Sequence, residues 1–108
     1  MGAQTHDLKT IDIYFDAVRR GEKTFEVRRN DRAFQKGDIL NLRKIDAKGF
    51  AVSPPGSSYG YDQIQKRVTY VLQGGQFGIE PAYCILGLGE VAASSKPTDT
   101  AEKEVGDG

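Results

Sequence analysis

The residues that could do chemistry lie together between Gly21 and Arg32, in the run Gly-Glu-Lys-Thr-Phe-Glu-Val-Arg-Arg-Asn-Asp-Arg. Thr24 to Arg28 alternates polar and apolar side chains, the pattern of a half-buried strand. Thr24, Glu26 and Arg28 then share one face, which points to solvent or into a groove, while Phe25 and Val27 are expected to anchor the other face in the core. One row therefore carries a hydroxyl, a carboxylate and a planar cation, with the Lys23 ammonium at its start. Side chains two apart on a strand face lie about 7 Å apart, so Glu26 and Arg28 can pair with each other or grip the amide edge of a ligand. Catalysis is a further option for Lys23, Thr24 and Glu26. A threonine nucleophile needs a base within about 3 Å, and Glu26 beside Lys23 can serve as a general base toward water. On pattern alone, such a row is most often a solvated face whose cross-strand pairs contribute about 0.2–1 kcal/mol each.

The other reactive residue types carry weaker signals. His6 is the lone histidine, beside Asp7, and by itself reads as a structural or surface residue. Cys84 sits in the apolar run from Ala82 to Val91 and reads as a buried, inert thiol. With one cysteine and one histidine, no disulfide framework or Cys/His metal cluster is expected, and no cofactor. Gly74, Gly75 and Gly78 lack the Lys-Ser/Thr of a phosphate loop and read as a plain loop. Tyr59 and Tyr61 lie in a Gly/Ser-rich loop and could stack on a base.

The elements that must position the Lys23 to Arg28 row follow from the pattern on either side. A short strand is predicted near His6 to Ile11, then a helix capped by Asp12 and running to about Arg20. Its apolar face is expected to be Ile13, Ala17 and Val18, helped by Tyr14, with Gly21 as a left-handed C-terminal cap. Turns are predicted at Asn30-Asp31 and Lys36-Gly37-Asp38, and strands at Ile39 to Ile45, Ile64 to Leu72 and about Ala82 to Val91. Residues 46–63 read as irregular.

Length and charge bound the rest. The chain has 108 residues, enough for one domain and too few for a catalytic domain plus a separate binding domain. Its formal net charge is zero, from 15 basic and 15 acidic residues. That neutrality is an average. The segment from Arg19 to Lys36 holds seven basic residues against three acidic ones, whereas the last sixteen residues, from Ala93, hold two against four. Those sixteen residues lack apolar periodicity and are expected to form a disordered tail, leaving residues 1–92 as the single domain. No apolar run reaches about 18 residues, and the stretch MGAQTHDLK has no apolar core, so neither a membrane span nor a secretory signal is expected. A monomer in the cytoplasm, without a membrane partner, is the expectation.

Five or so short strands with one early helix predict a mostly β, α+β domain built as a small barrel. The order of His6-Asp7-Leu8-Lys9, Tyr14-Phe15, Gly21 to Arg28, Asn30-Asp31-Arg32 and Gly37-Asp38 resembles the ASCH superfamily. Within it, the pattern is most similar to an ASCH-like family of unknown function found in bacteria and phages. The resemblance covers roughly residues 5–92. It implies a PUA-like β-barrel of five or six strands with one or two short helices, and a cleft between the first helix and the strand from Lys23 to Arg28. It implies RNA or a nucleotide as the partner, with His6, Lys9, Lys23, Glu26 and Arg28 as binding residues and Asn30 and Arg32 at the rim. Arg28 and Lys23 would contact phosphate or a base edge, and Glu26 would accept from a base amino group.

Two other readings compete with this one. One branch of the superfamily hydrolyses an amide of acetylated cytidine with a threonine nucleophile. This sequence departs there, because Lys23-Thr24-Phe25 is followed by Glu26 and not by a hydroxyl. A phage or prophage module binding a host protein, through the loop with Tyr59 and Tyr61, is the third possibility.

Overall fold

The computed structural model describes residues 2–91, so the segment expected to be a tail lies outside the described residues. β1 (Thr5–Ile11) leads directly into α1 (Asp12–Arg19), followed by β2 (Phe25–Arg29), β3 (Ile39–Ile45), β4 (Gln63–Gln73) and β5 (Tyr83–Gly89). All five predicted strands form at nearly the predicted positions, because each carries its own β-rich run between Gly, Asn or Asp breakers.

The strands make one mixed sheet in the order β1-β3-β4-β5-β2. β1 pairs parallel with β3, from Thr5 opposite Ile39 to Ile11 opposite Ile45. A parallel pair needs a long crossover, here residues 12–38, which contain α1 and β2. The other pairs are antiparallel, and β4 carries a bulge between Val68 and Tyr70.

The sheet is not closed, which corrects the expectation of a barrel. β1 and β2 are its two edges, and no backbone ladder joins them. Side chains cross between them instead. Arg28 Nη2 donates to the Lys9 carbonyl at 3.0 Å, and Arg32 Nη1 donates to the Asp7 carbonyl at 3.1 Å. Arginine side chains thus satisfy edge carbonyls that a neighbouring strand would take in a closed barrel.

The core packs one face of the sheet against α1 through Leu8, Phe15, Val18, Phe34, Leu40, Leu42, Val68, Cys84 and Leu86. Of the expected inward face only Val18 is fully buried, and Phe15 takes the place of Ile13 and Tyr14. Phe15 and Val18 are fully buried, while Ile13 is 64% exposed and Tyr14 is largely exposed. The helix begins one residue earlier than an Asp12 cap requires: Ile11 is the N-cap, and Asp12 accepts only the Ile13 N–H, at 2.8 Å. That rotation sets which side chains meet the sheet. Gly21 has φ of +82°, the left-handed stop expected of it.

A partly buried ion pair and a buried His–Asp contact fasten the helix and the edges. Arg19 grips Asp62 with two N–H bonds of 2.9 and 2.8 Å, tying α1 to the end of the irregular segment before β4. His6 Nε2 lies 2.9 Å from Asp38 Oδ2, and Asp38 also accepts the backbone N–H of Gln4 and Gln35. Burial opposes ionisation of Asp38, but these bonds outweigh it and hold the carboxyl below its ordinary 3.8. Arg19 likewise holds the Asp62 carboxyl low. A carboxyl with a depressed folded value contributes stability above its ordinary value, and that stability is lost as pH falls through the folded value. Thermal melts between pH 7 and 2 should therefore show stability declining below about pH 3.8. Asp38→Asn should flatten that decline; an unchanged pH profile in the variant would contradict this assignment.

Candidate functional site

The row read from the sequence comes together, but facing inward. Glu26 is only 3% exposed, while Phe25 and Val27 are 43% and 50% exposed. The expectation that Phe25 and Val27 anchor the core is therefore corrected. β2 is an edge strand, so its inner face looks into the gap beside β1 and not onto the centre of the core. Charged side chains can occupy that gap because they satisfy one another there. Lys23 Nζ donates to Glu26 Oε2 at 2.9 Å and to the Phe25 carbonyl at 2.7 Å. Arg28 Nε donates to Glu26 Oε1 at 3.1 Å, and Arg28 Nη2 donates to Thr10 Oγ1 at 2.9 Å.

These groups floor a cavity of about 470 Å³, lined by Lys9, Thr10, Ile11, Tyr14, Lys23, Phe25, Glu26, Val27 and Arg28. Its volume falls within the range of about 300–1,000 Å³ typical of small-ligand sites. Ile11, Tyr14, Phe25 and Val27 give it an apolar rim, which explains four of the large hydrophobic side chains exposed on this surface. The Lys23 ammonium lies 5.7 Å from the Tyr14 ring centre and 4.8 Å from that of Phe25. Two cations face one carboxylate, so the three charged floor residues carry one net positive charge. Unspent hydrogen-bonding capacity remains on both sides. Lys23 keeps one N–H, Arg28 keeps its Nη1 group, and the Glu26 carboxylate keeps about two of its roughly four acceptor positions.

The remaining candidates are distributed differently. Lys9 is on the exposed face of β1 and meets Arg28 through its backbone carbonyl. Thr24 is exposed and does not line the cavity; its carbonyl accepts the Leu88 N–H at 2.9 Å. His6 is buried away from the cleft in its pair with Asp38, and its ring meets Phe34 edge-on, with centres 4.8 Å apart. Asn30 binds Gln73 across the surface at 2.6 Å. Arg32 lines a second depression instead, with Leu8, Val27, Arg28, Arg29, Asp31 and Phe34. Tyr59 and Tyr61 line neither cavity; Tyr61 lies under the Arg43 guanidinium, at 5.3 Å. Cys84 is fully buried, and burial pushes its thiol up. The basic stretch is dispersed as well. Arg19 is spent on Asp62 and Arg20 on Glu22, leaving Lys23 and Arg28 to the cavity.

Sequence reasoning missed Thr10 and Tyr14 as cleft residues. Tyr14 was assigned to the helix's inner face, and Thr10 is one of the inward positions of β1, alternating with His6 and Leu8. Once β1 is known to be an edge, that alternation alone places Thr10 in the gap.

The fold and the cleft together define a small β-rich domain with an open sheet and a ligand-sized pocket between its two edges. Residues 5–88 match the family described as Domain of unknown function (DUF3850), and the chain belongs to that family. It is similar to the uncharacterized 12.9 kDa protein in the GpA 3′ region of Escherichia phage P2, with 41% identity over 44 residues. That match spans 41% of this chain and 40% of the phage protein. Among the described residues, no helix is long and apolar enough to cross a membrane.

Proposed function

We propose that the cleft binds a nucleotide, free or within single-stranded RNA, as the ASCH resemblance implies. The observation that carries this reading is the combination of an apolar, aromatic rim with a floor of spare donors and acceptors on Lys23, Arg28 and Glu26. A nucleobase is a flat apolar body whose edge both donates and accepts, so it suits such a site better than a bare anion does. The single net positive charge on the floor suits one phosphate. A hydrolytic role has less support, because Thr24 lies off the cavity and both Glu26 oxygens already hold cations.

Binding of nucleosides, nucleotides and short RNAs, followed by calorimetry at low salt, tests the proposal. Arg28→Ala and Lys23→Ala should each weaken binding about tenfold, the scale of one lost charge-assisted hydrogen bond. Affinity should fall only shallowly with salt, by about 0.7 in log affinity per log salt for each phosphate held. An absence of binding to any of these ligands at low salt would sink the idea.

A further inference from the structure

We infer that the depression beside the cleft is a subsite for a second phosphate, so that the groove takes a strand of two or more nucleotides in preference to a single one. The inference rests on the nucleotide reading of the first cleft. The two cavities abut, because Val27 and Arg28 line both. The second, of about 300 Å³, has a different chemistry: three arginines, Arg28, Arg29 and Arg32, line it with one acidic residue, Asp31, whose Oδ1 lies 3.9 Å from Arg32 Nε. It lies at the lower end of ligand-site volumes, which suits a charged group more than another base. Guanidinium groups match phosphate oxygens in a two-pronged geometry.

Arg32 is positioned for this role by the local backbone. Its Nη1 donates to the Asp7 carbonyl at 3.1 Å, and Nη2 makes no hydrogen bond among the described residues. Ala33 follows with φ of +50°, a left-handed conformation unfavourable for a residue with a Cβ. That turn buries Phe34 in the core while Arg32 crosses to β1. β1 and β2 do not pair, and the two depressions beside their gap meet at Val27 and Arg28, so two adjoining nucleotides can occupy them.

The test compares a nucleoside 5′-monophosphate with the 5′-phosphorylated RNA dinucleotide of the same base. The dinucleotide should bind wild-type protein about tenfold more tightly at low salt, and its affinity should fall more steeply as salt rises. Arg32→Ala and, separately, Arg29→Ala should each remove most of that gain and leave the monophosphate affinity unchanged. Retained monophosphate binding also shows that each variant is folded. Equal binding of the two ligands to wild-type protein, or equal losses for both ligands in the variants, overturns the second subsite and leaves the first cleft standing. Failure of both ligands to bind overturns the first cleft and the second subsite together.

Discussion

Replacing Glu26 with alanine is expected to lower folding stability by about 3 kcal/mol, at the lower end of what breaking a buried ion pair costs. The carboxylate is nearly inaccessible and is the shared partner of Lys23 and Arg28. Without it, two cations remain in the same narrow gap, each stripped of much of its water and repelling the other. The value belongs at the lower end because both cations keep some solvent contact. A domain of this size loses about 4–8 °C in Tm per kcal/mol, so the melting point should drop by roughly 12–24 °C. Replacing Lys23, Glu26 and Arg28 together with methionine, leucine and methionine should recover most of that loss, since apolar side chains of similar volume often replace a buried ion group at no net cost. Binding should not return in the triple variant. Such a result would mean that the charges are there for the ligand more than for the fold. A Glu26→Ala protein that melts within a degree or two of wild type would show that the cluster is well solvated and the cleft wider than its geometry indicates.

The second large effect is expected from Phe15→Ala, at about 3–5 kcal/mol. Phe15 is fully buried and, with Val18, packs α1 into the core. Its ring also supports two cations, with Arg19 at 4.8 Å and Lys44 at 5.6 Å from its centre. Deleting it leaves a cavity and loosens the Arg19–Asp62 clamp at the same time. Because Tyr14 precedes Phe15 on the same helix and walls the cleft, the damage should reach the site: ligand affinity should fall in the variant even at temperatures where it is folded. Phe15→Leu, which refills most of the space, should recover most of the stability. A Phe15→Ala variant with unchanged affinity would show that the helix does not depend on this anchor to hold the cleft wall.

How much of this was legible beforehand varies from element to element. The strands from Ile39 to Ile45 and from Ile64 to Leu72 were legible because their runs of β-branched and aliphatic residues are bounded by turn formers. The stop at Gly21 was legible because only a residue without a Cβ takes that backbone angle readily. Helix α1 lies where the pattern predicts it, but of the expected stripe Ile13, Ala17 and Val18 only Val18 is fully buried. A short helix with apolar or aromatic residues at 13, 14, 15, 17 and 18 offers several stripes, and the sheet beneath it selects one. The same limit applies to β2. Alternation shows that Glu26 and Arg28 share a face, yet it is symmetric as to which face turns inward.

What the amino-acid sequence determined by itself was therefore local: the order and type of the elements, and the grouping of Lys23, Glu26 and Arg28 in one row. These depend on neighbours within a few residues, where propensity and periodicity act. Tertiary structure alone decided that the sheet stays open between β1 and β2, that the row faces the gap, that Thr10 and Tyr14 join it from β1 and α1, and that Arg32 lines the neighbouring depression instead. Those outcomes depend on long-range pairing and on whether a buried carboxylate finds its cations. Here it finds both, and so an edge strand can turn its charges inward and leave Phe25 and Val27 at the rim.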